Sequence, residues 1–180
     1  IRILMAGNGT IHADISNNYI SDTMFVAYII GNKRSYDIRL DSNIFVNLSY
    51  GVTVEYANGL EFSNNIVDAG NVDSITSGFS LKGTSGCVLR NNTVMNFQRG
   101  YDVFESTGVN YIYNSTLVNI GHEHIWVGDN GKVRVVNGSA DFIYAYPSGY
   151  VDVWNYLNIC TVPSTPNIDV EVRDNGAVYY

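Results

Sequence analysis

Asn91-Asn92-Thr93-Val94-Met95-Asn96 is followed, after a short interval, by Asn114-Ser115-Thr116-Leu117-Val118-Asn119. Position by position the two segments carry the same chemistry: a polar residue, a small amide or hydroxyl, a β-branched Thr, two apolar residues and a closing Asn. The first four positions recur upstream as Asn17-Asn18-Tyr19-Ile20, Ser42-Asn43-Ile44-Phe45 and Asn64-Asn65-Ile66-Val67. With the second residue as marker, Asn18, Asn43, Asn65, Asn92 and Ser115 follow one another at intervals of about 25, 22, 27 and 23 residues, a solenoid-type period with loops of varying length.

Short alternating or apolar runs lie between the markers: 49–56, 78–81, 86–89, 108–113 and 125–127. Their length and alternation predict strands, and Gly and Asn punctuate them. No segment carries a capped apolar stripe of helical period. A leucine-rich repeat would need a leucine ladder, and a propeller blade would need four strands in about 40 residues. Three short strands per coil of about 22 residues fit this spacing. A β-sandwich with Asn-rich turns is the rival reading, and its signature would be antiparallel pairing.

The Asn-Asn-x-apolar phrase resembles the right-handed parallel β-helix repeats of the pectate-lyase-like, carbohydrate-binding and sugar-hydrolase superfamily, over roughly residues 8–145. The resemblance implies an all-β chain: a parallel β-helix of about six coils over residues 1–150, with a ladder of internal amides at Asn18, Asn43, Asn65 and Asn92 ending at Ser115. An Asn at a tight bend tolerates left-handed backbone, and its amide can bond the equivalent Asn one coil away. Residues 151–180 read as a C-terminal β-hairpin, a cap or the start of an immunoglobulin-like segment, with a turn at Asp174-Asn175-Gly176. In bacterial and archaeal surface proteins a β-helix is commonly followed by such a segment, and Trp154-Asn155-Tyr156-Leu157 looks like that junction.

Composition narrows the function. The 180 residues are 46% hydrophobic, 15% charged and 13% aromatic, with 14 tyrosines, so the chain packs a core. A net charge of −7 with only 10 Lys plus Arg argues against a groove that tracks nucleic-acid phosphates. The most apolar window, 24–30, is too short to span a membrane. Cys87 and Cys160 lack the spacing of a zinc or redox pair, and about three coils between them argue against a disulfide.

Candidate sites are sparse. His122 and His124, with Asp129 nearby, have the spacing for a two-histidine metal contact if they share a strand. Asp68, Asp73, Asp102, Glu105, Asp129 and Asp141 could gather around calcium, although no calcium-loop motif is present. Tyr101, Tyr111, Tyr113 and Trp126 supply flat faces for sugar stacking, and Tyr111 with Tyr113 could equally form an interior aromatic stack. Among five glycosylation sequons, Asn8 and Asn137 are the exposed candidates. The lyases, polygalacturonases and epimerases of the superfamily need a basic residue beside a bound cation or a pair of acids. Arg90 and Arg99 are the nearest basic groups, but the Asn-Thr-Asp, Asp-Asp and His-Gly phrases of polygalacturonases are missing. The expectation is a non-catalytic extracellular structural module that self-associates as a homo-oligomer or polymer, without a required cofactor. The alternative is a module that binds or degrades polysaccharide, including a tailspike-like one.

Overall fold

The computed structural model describes residues 2–4, 11–70, 76–138, 140–154, 170–174 and 177–179. Every strand-to-strand pairing within these residues is parallel except the last, so the sandwich alternative falls. The strands stack into three faces. The first face is built from His12–Ser16, Asp37–Asp41, Glu61–Ser63, Val88–Arg90, Asn110–Tyr113, Lys132–Val136 and Tyr150–Trp154, each pairing with the next. The second carries Ile66–Asp68, Thr93–Met95 and Thr116–Val118. The third carries Arg2–Leu4, Ser77–Lys82, Arg99–Phe104, Ile125–Val127 and Ile143–Ala145. Two long strands, Tyr19–Ser35 and Ile44–Asn58, run through the corner from the second face into the third. Among the described residues five coils therefore turn through the Asn corner and carry all three strands. A further turn, from Lys132 to Ala145, uses only the first and third faces.

The first face does not stop at residue 150. Val170–Asp174 stacks in parallel on Tyr150–Trp154, and Ala177–Tyr179 then pairs antiparallel with it to close a hairpin. Residues 155–169, including Cys160 and most of the expected junction, lie outside the described residues, as do Asn8, Asp73, Asn175 and Gly176.

Inward side chains line up coil on coil. Leu40, Phe62, Leu89, Ile112, Val135 and Val153 form one column; Val52, Phe79, Tyr101, Ile125 and Ile143 form another; Phe45, Val67 and Val94 form a third. All are buried. The rings of Phe79 and Tyr101 stack at 5.5 Å, and Phe62 meets Phe79 edge-on at 5.7 Å. Such columns exclude water continuously along the axis, and that burial is the main stabilising term of the fold.

The Asn-Asn phrase divides its work between its two residues. The first residue (Asn17, Ser42, Asn64, Asn91 or Asn114) takes the left-handed backbone, with φ between 49° and 57°. Asn is among the few non-glycine residues that tolerate this conformation. The second residue points inward. The Nδ2 groups of Asn18, Asn43 and Asn65 each donate to the Oδ1 of the next Asn at 3.0 Å. Their backbone N–H groups donate to the same oxygens, also at 3.0 Å. Asn43, Asn65 and Asn92 also donate to the carbonyls of Ile15, Leu40 and Phe62 in the preceding coil, so each ties neighbouring coils together. The Asn run ends at Ser115, whose Oγ accepts the Tyr101 hydroxyl at 2.7 Å inside the core.

Candidate functional site

A parallel β-helix exposes every second residue of each strand on a flat outer surface. On the third face the registers place Thr53, Ser80, Asp102, Trp126 and Tyr144 in one unbroken outward row, one residue per coil. At one end of this row Tyr50, Thr53, Thr76, Ser77, Ser80 and Asp102 surround a shallow cleft of about 210 Å³. At the other end Trp126 meets Phe104 and Tyr146 edge-on at 6.0 and 5.5 Å, and Tyr144 meets Tyr146 at 5.6 Å. The indole lies across Gly128, where an added Cβ would come within 2.4 Å of the ring.

Asp102 is the chemically unusual group of the cleft. Its Oδ2 accepts the Ser77 hydroxyl at 2.5 Å and lies 3.7 Å from the Arg99 guanidinium. Its Oδ1 is buried with no hydrogen-bond partner among the described residues. Burial holds its carboxyl above the usual range; Ser77 and Arg99 oppose the rise, and the Glu123 charge adds to it. Arg99 in turn bonds Glu123 through Nε at 2.9 Å and lies 4.9 Å from the Trp126 ring centre. The other cation beside the row, Lys82, is 3.8 Å from Glu105 and sits over the Tyr56 and Phe104 rings. Both cations therefore have anionic and aromatic partners already.

The four aromatic candidates scatter. Tyr101 is fully buried in a core column, with burial pushing its hydroxyl well above its ordinary range, so it cannot stack a sugar. Only Trp126 belongs to the third-face row. Tyr111 and Tyr113 face outward on the first face, with rings parallel to within 3° and centres 6.2 Å apart, which corrects the interior alternative. Arg90 lies 4.2 Å from the Tyr113 ring centre, and Arg134 lies 6.0 Å from that of Tyr111.

His122 and His124 do not share a strand. Both precede Ile125–Val127; the backbone N–H of Asp141 donates to Nδ1 of His124 at 2.9 Å, and Asp129 accepts from Ser148 at 3.3 Å on the following turn. Among the described residues no three His, Cys, Asp or Glu side chains are gathered closely enough to hold a metal ion. Asn137 is an exposed left-handed turn residue.

The sequence reading missed the strand Arg99–Phe104, because Arg99 and Asp102 gave it the look of a loop. It also missed a column of glycines at the corner between the second and third faces. Gly51, Gly78 and Gly100 stack in adjacent coils, and a Cβ at Gly51 would lie 2.0 Å from the Gly78 carbonyl oxygen. The signal was present as Tyr50-Gly51-Val52, Ser77-Gly78-Phe79 and Arg99-Gly100-Tyr101, spaced at the coil period.

Stacked coils, an inward amide ladder and aligned aliphatic columns define a β-solenoid. The family model described as a right handed beta helix region matches residues 2–149, and the chain belongs to that family. Neither the comparison with curated proteins nor the comparison with solved structures gives a match. Among the described residues no helix is long and apolar enough to cross a membrane.

Proposed function

We propose that this chain is an extracellular glycan-binding β-helix module, with its site on the outer surface of the third face. The observation that carries the reading is the unbroken row from Thr53 to Tyr144, hydroxyl- and carboxyl-lined at one end and aromatic at the other. Sugar rings are recognised by this combination: apolar C–H faces stack on aromatic rings while hydroxyls exchange hydrogen bonds with side-chain oxygens. One outward residue every coil, at roughly 4.8 Å, suits a ligand that is itself a linear repeat. Because Arg99 and Lys82 are already paired, the row favours a neutral sugar chain over a uronate polymer. Arg99 also bridges the two acids, Asp102 and Glu123, which favours binding without cleavage.

Screening neutral and acidic polysaccharides, followed by calorimetry on the best binder, tests this reading. Neutral chains should bind and release no new reducing ends, and Trp126→Ala should weaken binding roughly tenfold through the lost stacking surface. Failure of every neutral polysaccharide to bind, or binding untouched by both Trp126→Ala and Asp102→Asn, would sink it. Release of reducing ends would instead favour the polysaccharide-degrading alternative. The self-associating reading draws on a different surface, the first face.

A further inference from the structure

The outward side chains of the first face change sign along the axis. The early coils present Asp14, Asp37, Asp41 and Glu61 against Arg39, which lies 3.4 Å from Asp41, and His12, which bonds Asp37 at 2.6 Å. Up to Trp154 the late coils present Arg90, Lys132 and Arg134 against Asp152, and the strand Val170–Asp174 then places Glu171 and Arg173 in register with Asp152 and Trp154. Asp152 is 2% exposed and already bonded by Arg134 Nε at 2.6 Å and Trp154 Nε1 at 2.8 Å. Between the two ends lie Val88 and the parallel rings of Tyr111 and Tyr113. The face is thus acidic at one end, aromatic in the middle and basic at the other.

We propose that two copies of this chain pack first face to first face with their axes antiparallel. A two-fold axis along the strand direction, passing between Val88–Arg90 and Asn110–Tyr113, lays each copy's Glu61–Ser63 over the other's Lys132–Val136 and its Asp37–Asp41 over Tyr150–Trp154. In-register pairing across that axis sets Glu61 opposite Arg134, Arg90 opposite Tyr113 and Val88 opposite Tyr111, each twice by symmetry. The apolar and aromatic contacts fall at the centre and the ion pairs towards the rim, as in specific interfaces generally. The parallel arrangement would set carboxylates against carboxylates and is disfavoured. The six strands that face one another, from Asp37–Asp41 to Tyr150–Trp154, are three to five residues long and present a surface of roughly 30 by 13 Å, so the two copies bury on the order of 1,000 Å², the lower limit for a specific dimer. Both third faces stay open, so the dimer carries two glycan rows instead of one.

Sedimentation equilibrium over the micromolar range tests the pairing. At low salt the mass should rise to twice that of the chain, and added salt should return it to the monomer. Glu61→Arg alone should weaken the dimer at least tenfold, because Arg then faces Arg134 twice. Arg134→Glu, carried with Asp152→Asn so that no second carboxylate remains beside the new one, should do the same. Mixing these two variants should restore the dimer, since both ion pairs re-form between unlike chains. Arg90→Ala, at an exposed position, should weaken the dimer with the circular dichroism spectrum unchanged. If the Arg134 variant does not fold, Glu61→Arg and Arg90→Ala decide the matter alone. A monomer throughout at low salt, a dimer indifferent to both of those variants, or two folded charge variants that stay monomeric when mixed would overturn the proposal.

Discussion

Two adjacent asparagines, Asn64 and Asn65, do unlike jobs, and their substitutions should show it. Asn65 is 1% exposed and its amide takes part in four hydrogen bonds, with Asn43, Leu40 and Asn92. Asn65→Ala leaves buried donors and acceptors unpaired on both sides and should cost about 3 kcal/mol in urea unfolding. Asn64 is exposed, with φ 57°, so Asn64→Gly should change stability by less than about 1 kcal/mol. The repeated phrase made the position of this pair readable from sequence, because an amide ladder needs the same residue in every coil. What could not be read was that the left-handed backbone belongs to the residue before each ladder Asn, since the spacing alone gives both roles to one position. Tyr101 was misread for a related reason: with the strand Arg99–Phe104 unrecognised, nothing set the parity that sends Tyr101 and Val103 inward and Asp102 outward.

At the scale of strands and corners, the glycine column decides how closely the second and third faces approach. Gly78 is hemmed in by Val94, where a Cβ would meet Cγ1 at 2.1 Å, and by the Gly100 carbonyl at 3.1 Å. Gly78→Ala should therefore destabilise the fold by about 2–3 kcal/mol, measurable as a lower urea midpoint at unchanged slope. The strand Arg99–Phe104 carries a second prediction. The Asp102 carboxyl is raised in the folded chain, so between the ordinary carboxylate value near 3.8 and its folded value the native state holds the extra proton. Stability assignable to Asp102 is thus lost as pH rises through that window. Asp102→Asn should be more favourable, relative to the parent, at neutral pH than at pH about 3, and equal effects at both would contradict the burial argument. The three-strand coil was legible because its period survives loops of different length. The two-face turn near the end was not, because the alternation in 131–136 identifies a strand without saying which stack it joins.

Each coil touches only its neighbours, so stability should be distributed along the axis and local opening should begin away from the middle. Cys87 is a built-in probe of that middle. Its thiol is buried, bonds the Ala57 carbonyl at 3.6 Å, and is pushed by burial up to about 11. In a Cys160→Ser background, a thiol reagent at pH about 8 should leave the folded chain unlabelled and react only at the urea concentration of global unfolding. Labelling well before that midpoint would show the central coils opening on their own. The amide ladders give the molecule a direction as well. In the inner ladder the amide-to-amide bonds point towards the C-terminal end, from Asn18 to Asn43 to Asn65 to Asn92, while a second N–H of Asn43, Asn65 and Asn92 reaches back to a carbonyl of the preceding coil. On the outer corners the arrows reverse: Asn114 donates to Asn91, Asn91 to Asn64 and Asn64 to Asp41, while Asn119 donates to Asn96, Asn96 to Asp68 and Asn47 to Asp22. Every outer row thus terminates on a carboxylate, an anion seated where the positive ends of its dipoles converge. Opposed rows of side-chain dipoles partly cancel one another, so a solenoid wired this way lengthens coil by coil with a smaller axial field than either row alone would build.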